Sequence, residues 1–430
     1  MYASTMRGCF AFAAALALAL ATAAARAETL APADARAPAF AAATRERAPV
    51  RVWHAEVERD EHLSSKERRR EPQKSVGYRG LVLPGGGRAL VAFFAREAVD
   101  ADAPAVPGSE ALYYRALDAE GRPGARIAIA RGPDFDMLLD RGGGTSAVLG
   151  RWREGTVPLF SIAADGAARE IALKLPYKPL RYETHGTGFL VWFDRKLPNE
   201  DAPGAKRAPF HLLKLDAEGR AQWSFEYPRG QYGFVAAAAR ADGFTLAVLN
   251  EGPLKGGIVQ DVAALLLDRA GRRVAKHRLD LRGNGGPVPT GLHALNGGGF
   301  LLTGFWWGPG GNFVAWLGRD GRLLRYESVT LGDFVEYQFV QPLGDEGFLA
   351  TNPKGALLRF DRTGKLLWRG TRAPRPKGPE GREERDLSVY DLRVISGNEL
   401  LLAGARSWSE KVGDEYLSAT SVFVERYRWE

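Results

Sequence analysis

Cysteine is almost absent from this sequence, and the single one is Cys9. It lies in an N-terminal segment that we expect to be removed, so the mature protein would hold no disulfide. Its stability would then depend on burial and hydrogen bonding. Histidine is also scarce, with six in 430 residues, and no pair has the spacing of metal ligands. The sequence therefore predicts no metal site and offers no cysteine nucleophile.

Local motifs of common enzyme classes are missing as well. The sequence has no G-x-S-x-G elbow and no phosphate-binding glycine loop. Several carboxylates occur near predicted strand starts, where they could converge on the central channel of a fold built from repeats. They are Asp134, Asp136, Glu183, Glu336 and Asp391. Because a site assembled from separate repeats leaves no local motif, catalysis stays open, no catalytic residue is assigned, and a non-catalytic role is favoured.

The N-terminus has the features of an export signal. Arg7 precedes an apolar run over residues 10–21, and Ala25-Arg26-Ala27 fits a cleavage site. The alternative is a membrane anchor, but the run is shorter than the roughly 20 residues that span a bilayer. We expect a signal peptide over residues 1–27, cleavage near Ala27, a periplasmic or secreted protein, and no transmembrane segment in the mature chain. The Ala- and Pro-rich residues 28–48 are predicted to be a disordered lead.

Basic residues outnumber acidic ones only slightly. The formal net charge of +8 falls to +6 without residues 1–27, which contain two arginines and no acid. A modest excess spread along the chain mainly affects solubility. Together with the export signal, it argues against a nucleic-acid partner.

Two kinds of turn alternate along the rest of the chain. The first is Asp-x-x-Gly, in which Asp can bond its own backbone and Gly tolerates positive φ. Its copies are residues 118–121, 216–219, 268–271 and 361–364, with degenerate copies at 163–166 and 318–321. The second is a Gly-containing turn ahead of an apolar strand. Its copies are at residues 85–87, 142–144, 187–188, 242–243, 297–299, 346–347 and 397–398.

The spacing of these turns predicts an all-β propeller. Both recur at about the period of four-stranded blades. The seven Gly-containing turns indicate seven blades, with six or eight as alternatives, in one domain over residues 49–430. The strand at residues 49–58 has no Asp-x-x-Gly turn before it, and residues 421–430 have none after. We predict that these end strands close the last blade together, with residues 49–58 outermost. Trp223 and Trp368 are assigned to packing between blades.

The two best copies of the repeat resemble those of the PQQ-like and WD-repeat-like propeller superfamily. They are Leu215-Asp216-x-x-Gly219-x-x-x-Trp223 and Phe360-Asp361-x-x-Gly364-Lys365-x-x-Trp368. That resemblance implies a propeller fold, and the superfamily includes quinoprotein dehydrogenases and an outer-membrane assembly scaffold. Tryptophan is missing from the other copies and there is no vicinal cysteine pair. We therefore expect no quinone and no other cofactor.

Long insertions are predicted on the face opposite the two short turns, at residues 96–110, 195–208, 250–260, 305–312 and 405–418 within blades and 59–75 and 371–386 between them. Insertions gathered on one face are typical of a binding face, although long surface loops are also tolerated without function. The residues predicted to bind a partner there are Trp306, Trp307, Asn312, Arg372, Arg375, Lys377 and Trp408. Alternation along a strand end would point one indole of the 306–307 pair into the core.

These features favour a monomeric binding or scaffold module for a protein or glycan. The alternative is a propeller enzyme of hydrolase, lyase or sulfotransferase type, with its site in the central channel. Several buried, convergent polar side chains with shifted pKa values at one channel mouth would favour the enzyme.

Overall fold

The computed structural model describes most of the chain from Pro49 onward. The described residues are 49–65, 76–85, 88–96, 110–131, 135–140, 146–150, 152–162, 168–185, 188–193, 210–227, 234–251, 261–282, 286–306, 311–329, 339–344, 347–351, 356–371, 383–412 and 415–429. All of them belong to one compact unit, Thr44–Glu430. They form β-strands and turns, and no helix occurs among them. The signal peptide and lead predicted over residues 1–48 lie outside these ranges.

The strands form seven four-stranded antiparallel sheets, or blades, numbered here along the chain. The first strand, β1 (Val50–Ser65), belongs to the last blade. Blade 1 is β2 (Val76–Gly85), β3 (Arg88–Arg96), β4 (Glu110–Leu117) and β5 (Ile127–Arg131); blade 2 is β6 (Phe135–Asp140), β7 (Ser146–Gly150), β8 (Thr156–Ile162) and β9 (Ala168–Lys174); blade 3 is β10 (Pro179–His185), β11 (Gly188–Phe193), β12 (Phe210–Leu215) and β13 (Ala221–Tyr227); blade 4 is β14 (Phe234–Ala239), β15 (Thr245–Glu251), β16 (Asp261–Leu267) and β17 (Arg273–Leu279). Blade 5 is β18 (Pro287–Ala294), β19 (Phe300–Trp306), β20 (Asn312–Leu317) and β21 (Leu323–Val329); blade 6 is β22 (Phe339–Pro342), β23 (Phe348–Thr351), β24 (Ala356–Phe360) and β25 (Leu366–Thr371); blade 7 is β26 (Glu383–Ser396), β27 (Glu399–Val412) and β28 (Glu415–Arg428), with β1.

Burial follows position within the blade. The middle strands β11 and β20 are buried at every residue, because both faces of a blade pack against neighbouring blades. The outer strands β13 and β17 are mostly exposed and read as alternating sequences. Within each repeat, the middle strands are therefore apolar runs and the outer strands alternate between polar and apolar residues.

The first strand of each blade contacts the first strand of the next. These inner strands are β2, β6, β10, β14, β18, β22 and β26, and β26 contacts β2 again. The seven blades thus close around a central channel, which confirms the predicted propeller and its blade number. All inner strands run in the same direction. Each begins on the side where the chain enters from the preceding blade, which we call the long-loop face. Each ends on the side of the turn that leads into the second strand, which we call the short-turn face.

The last blade contains both ends of the described chain. Strand β1 pairs with β28 from Val50↔Arg428 to Ser65↔Glu415, and β1 is the outermost strand. This confirms the predicted closure. The buried Glu425 stabilises this closure. Its Oε1 accepts a hydrogen bond from Arg51 Nη1 at 3.3 Å and lies 2.9 Å from His54 Nδ1. Its Oε2 accepts a hydrogen bond from the Tyr427 hydroxyl at 2.9 Å.

The Asp-x-x-Gly turns have the predicted chemistry. Asp216 Oδ1 accepts the backbone N–H groups of Glu218 and Arg220 at 3.0 and 2.9 Å, and its Oδ2 accepts Arg220 Nε at 2.8 Å. Gly219 takes a positive φ of 79°. The same acceptor pattern recurs at Asp118 and Asp268.

The turn glycines also receive side chains from the preceding blade. A Cβ added at Gly271 of blade 4 would lie 2.7 Å from the Trp223 ring of blade 3. One added at Gly121 of blade 1 would lie 2.6 Å from the Trp53 ring of blade 7. Trp223 and Trp368 are both buried in cores between blades, which confirms their predicted role.

Blade 7 extends further than predicted. Residues 405–412 and 415–418 were predicted as loop, but they belong to β27 and β28, which pair through Val412↔Glu415. Strand β1 likewise continues to Ser65 instead of ending near residue 58. Gly413-Asp414 is a two-residue hairpin sequence between alternating segments, and that signal explains why strand pairing continues.

Candidate functional site

Polar side chains of blades 7 and 1 meet at the channel wall. Asp391 and Arg393 of β26 are two residues apart, so both point to the same side of the strand. Arg393 Nε lies 3.1 Å from Asp391 Oδ1, and the Tyr78 hydroxyl donates to Asp391 Oδ2 at 3.1 Å. The Leu392 backbone N–H donates to Asp391 Oδ1 at 2.9 Å. The carboxylate is therefore held from both blades.

A second pair lies on blade 3. Arg181 and Glu183 of β10 have the same i, i+2 spacing, with Arg181 Nη2 3.2 Å from Glu183 Oε1. Between them Tyr182 packs into the core with Phe189 and Val191. The alternation of the inner strand thus buries the tyrosine and presents both charged groups on the opposite side.

The two pairs interact electrostatically across the channel. Arg393 of blade 7 lowers the pKa of Glu183 on blade 3, although burial has the larger effect and the net direction is upward. Blades 3 and 7 are not neighbours, so this interaction crosses the centre of the ring. In the same way Arg181 of blade 3 acts on His293 of blade 5. Electrostatic effects thus link groups on four blades, which we call the channel cluster: Tyr78, Arg181, Glu183, His293, Asp391 and Arg393.

The carboxyl groups of the channel cluster hold protons more tightly than usual. Burial raises the pKa of Asp391, and its bonds to Arg393 and Tyr78 only partly oppose this. Burial is likewise the main cause that raises the pKa of Glu183, whose side chain keeps 36% of its surface accessible. Access to solvent together with a raised pKa is expected for a group in a narrow channel, surrounded by protein on most sides.

His293 is a neutral imidazole at ordinary pH. Burial and the charge of Arg181 lower its pKa to about 4. His293 pairs with Leu301 in the ladder, as Glu183 pairs with Leu190, and each leucine follows a Gly-Phe sequence at the start of the second strand of its blade. The two side chains thus hold corresponding positions two blades apart. The channel cluster combines two guanidinium donors, two carboxyl groups, a neutral imidazole and the Tyr78 hydroxyl.

Of the residues predicted to bind a partner, two are described with their side chains. Trp306 is 2% exposed and packs on Phe313 and Tyr326, so it is the indole that points into the core. Asn312 is 1% exposed at the start of β20. Neither presents a surface to a partner here. Trp408 lies within β27, with its side chain outside the described set, and Trp307, Arg372, Arg375 and Lys377 lie outside the described residues.

Two of the five channel carboxylates, Glu183 and Asp391, are described with their side chains, and both lie in the channel cluster. Asp136 lies on β6, again without a described side chain, while Asp134 and Glu336 fall outside the described residues. Sequence reasoning missed the arginines, the histidine and the tyrosine. The arginines had one available signal, a charged residue two positions from a carboxylate in a strand predicted to be innermost, and the histidine and the tyrosine lack that signal.

Comparisons with known proteins leave the family open. No protein-family model matches the chain, and neither does any curated protein. Among solved structures it is similar to Raptor from Chaetomium thermophilum, with a TM-score of 0.47 and 12% identity, over 82% of this chain and 28% of that one. A protein of unknown function from Bacteroides caccae has a TM-score of 0.37 and 15% identity, over 61% of this chain and 91% of that one. The chain thus spans under a third of Raptor, and the propeller assignment stands on the strand order rather than on these likenesses.

The described residues contain no helix that is both long and apolar enough to cross a membrane. They also contain no group of three or more His, Cys, Asp or Glu side chains placed to hold a metal ion.

Proposed function

We propose that this protein is an exported binding module whose protein or glycan partner engages the long-loop face around the mouth of the channel. The observation that supports it is the channel cluster, in which blades 1, 3, 5 and 7 direct polar groups to one place. Such convergence of polar groups in a concave site is typical of ligand binding. The propeller fold itself is compatible with a binding or scaffold role.

Affinity capture from an envelope extract tests this proposal. The bait is the mature chain, beside an Arg181→Ala/Arg393→Ala variant and a matched control, Arg122→Ala/Arg220→Ala. The control arginines lie on the short-turn face and are strongly exposed. We expect one partner to be retained by the parent and the control and lost by the channel variant. A partner retained equally by all three would place binding elsewhere.

The second candidate is an enzyme with its site in the channel, of the hydrolase, lyase or sulfotransferase type. The raised pKa values of Glu183 and Asp391 favour it, because a general acid must stay protonated near the working pH. A broad substrate screen tests it, with Glu183→Gln and Asp391→Asn as variants. An activity lost in both variants would support catalysis, and one retained in both would exclude these carboxyls from the chemistry.

Export is also part of the proposal. Mass spectrometry of the protein from an envelope fraction should find Glu28 or a near neighbour at the N-terminus. An intact Met1 would contradict cleavage.

A further inference from the structure

An aromatic pair stands beside the channel cluster. Tyr78 of blade 1 and Tyr390 of blade 7 are stacked almost parallel, with ring centroids 5.9 Å apart and an interplanar angle of 8°. Tyr78 is 9% exposed, whereas Tyr390 is 36% exposed. Tyr390 thus covers its partner on one side and has accessible ring surface left over.

The pair lies toward the long-loop end of the channel. Tyr78 is the third residue of β2, and inner strands begin at the long-loop face. Tyr390 directly precedes Asp391, whose carboxylate accepts the Tyr78 hydroxyl. The aromatic surface and the first carboxylate are therefore adjacent, and a ligand entering from the long-loop face would meet them together.

The charges of the channel cluster cancel. Arg181 is paired with Glu183, and Arg393 is paired with Asp391. On the strands the order is reversed, with the arginine first on blade 3 and the carboxylate first on blade 7. An anion or a cation would thus find as much repulsion as attraction. A neutral ligand that can both donate and accept hydrogen bonds fits this arrangement best.

We propose that the channel mouth binds a neutral saccharide, with one sugar ring on Tyr390 and hydroxyl groups bonded to Asp391, Arg393 and, deeper, Glu183. A sugar hydroxyl donates to a carboxylate and accepts from a guanidinium, so it matches both members of each pair. The C–H face of a pyranose ring packs on an aromatic face. The tyrosine ring offers such an apolar face, while its hydroxyl group can remain in contact with water. This inference rests on the proposed function, and it selects the glycan alternative and the residues that hold it.

The electrostatics of the site support this choice. Burial raises the pKa of both carboxyl groups, because it disfavours their charged forms. A sugar hydroxyl that donates a hydrogen bond to either carboxylate would stabilise that charged form. The neutral imidazole of His293 adds a further donor or acceptor without a charge.

The test uses the mature full chain and four named tetrasaccharides. Three are neutral, namely tetramers of β-linked glucose, α-linked glucose and N-acetylglucosamine, and the fourth is tetragalacturonate, which is anionic. Binding is followed by saturation-transfer NMR and calorimetry. We expect at least one neutral tetramer to bind at concentrations up to about 10 mM, with tetragalacturonate weaker.

Three variants locate the binding. Tyr390→Ala should weaken it at least about tenfold, while Tyr390→Phe should keep it within about threefold because the ring is retained. Leu324→Ala is the matched control, since Leu324 is an exposed apolar residue on the outer strand β21. Melting temperatures check that all variants fold.

The outcomes separate this inference from the proposed function. No binding of any neutral tetramer, preferential binding of tetragalacturonate, or binding unaffected by Tyr390→Ala would each overturn the saccharide assignment. If the envelope partner is a protein that still depends on Arg181 and Arg393, the proposed function stands without the saccharide. If neither a saccharide nor an envelope partner depends on the channel residues, both proposals fail.

Discussion

Replacing Glu425 by glutamine should loosen the strand that closes the ring. The Glu425 side chain is wholly buried, and two of its partners, Arg51 and His54, belong to β1. Glutamine keeps the shape and one acceptor oxygen. Its amide group, however, would place hydrogen-bond donors where Arg51, His54 or Tyr427 now points at an acceptor.

The size of the effect follows from these contacts. A hydrogen bond to a charged group contributes about 1.5–3 kcal/mol, and removing one partner of a buried ion pair costs about 3–5 kcal/mol. Because glutamine retains part of the bonding, we expect the free energy of unfolding to fall by about 2–4 kcal/mol. The melting temperature of a chain this long would change by only about 1 °C per kcal/mol, so denaturant unfolding is the better measurement.

Guanidinium unfolding and hydrogen exchange in residues 50–58 provide the assay. Exchange in β1 should accelerate in Glu425→Gln before the other blades are affected. The control is Glu226→Gln, the same substitution at an exposed position of the outer strand β13, where we expect a change within about 0.5 kcal/mol. If Glu425→Gln were no more destabilising than that control, the buried carboxylate would not stabilise the pairing of β1 with β28.

Two further predictions concern packing and pH. Trp223→Ala should cost about 3–4 kcal/mol as a buried aromatic, and Gly271→Ala should also destabilise, since its φ is 76° and the new Cβ would lie 2.7 Å from the indole. The double variant should cost less than the two losses together, and additive losses in denaturant unfolding would argue against that contact. In the channel, the His293 pKa of about 4 lies below its ordinary value of 6.5, so the unfolded chain gains a proton first as the pH falls. The contribution of His293 to folding stability should therefore fall by about 2 kcal/mol between pH 6.5 and 4, less than the full shift because the imidazole is only partly buried, and His293→Gln should lack this loss.

The fold was predictable because its signals are local. Asp216 bonds the backbone two and four residues ahead, and Gly219 takes a positive φ, so each turn is encoded within five residues. Repetition of such turns sets the blade period. The unmatched strand at each end then required the closure between β1 and β28. These inferences needed no knowledge of contacts far apart in the sequence.

The extent of blade 7 was harder to predict. Residues 405–418 carry mixed polar side chains, which resemble the insertions of other blades. What distinguishes them is the Gly413-Asp414 dipeptide, with strands long enough on both sides to pair from Val412↔Glu415 onward. Composition favoured a loop, whereas turn chemistry favoured a hairpin, and the turn chemistry was the better guide.

The channel cluster was only partly visible in the sequence. Glu183 and Asp391 could be identified as carboxylates near strand starts, but Arg181 and Arg393 carried no motif. Which side of an inner strand faces the channel depends on bulges, and β10 and β26 each contain at least one. A bulge shifts the alternation by one residue, so sequence spacing alone does not assign the facing side chains.

The charge of the whole chain and the charge of the channel indicate different things about a ligand. Arginines on the outside, such as Arg122 and Arg220, are mostly exposed and bonded to the aspartate of their own turn, so their role is local to those turns. Each of the two arginines of the channel cluster has a carboxylate two residues away, and that spacing places both groups on one side of the strand. The net charge of +8 identifies no ligand, because the excess is modest and spread along the chain. The paired groups at the channel predict a neutral one, and they are the groups that a ligand in the channel would touch.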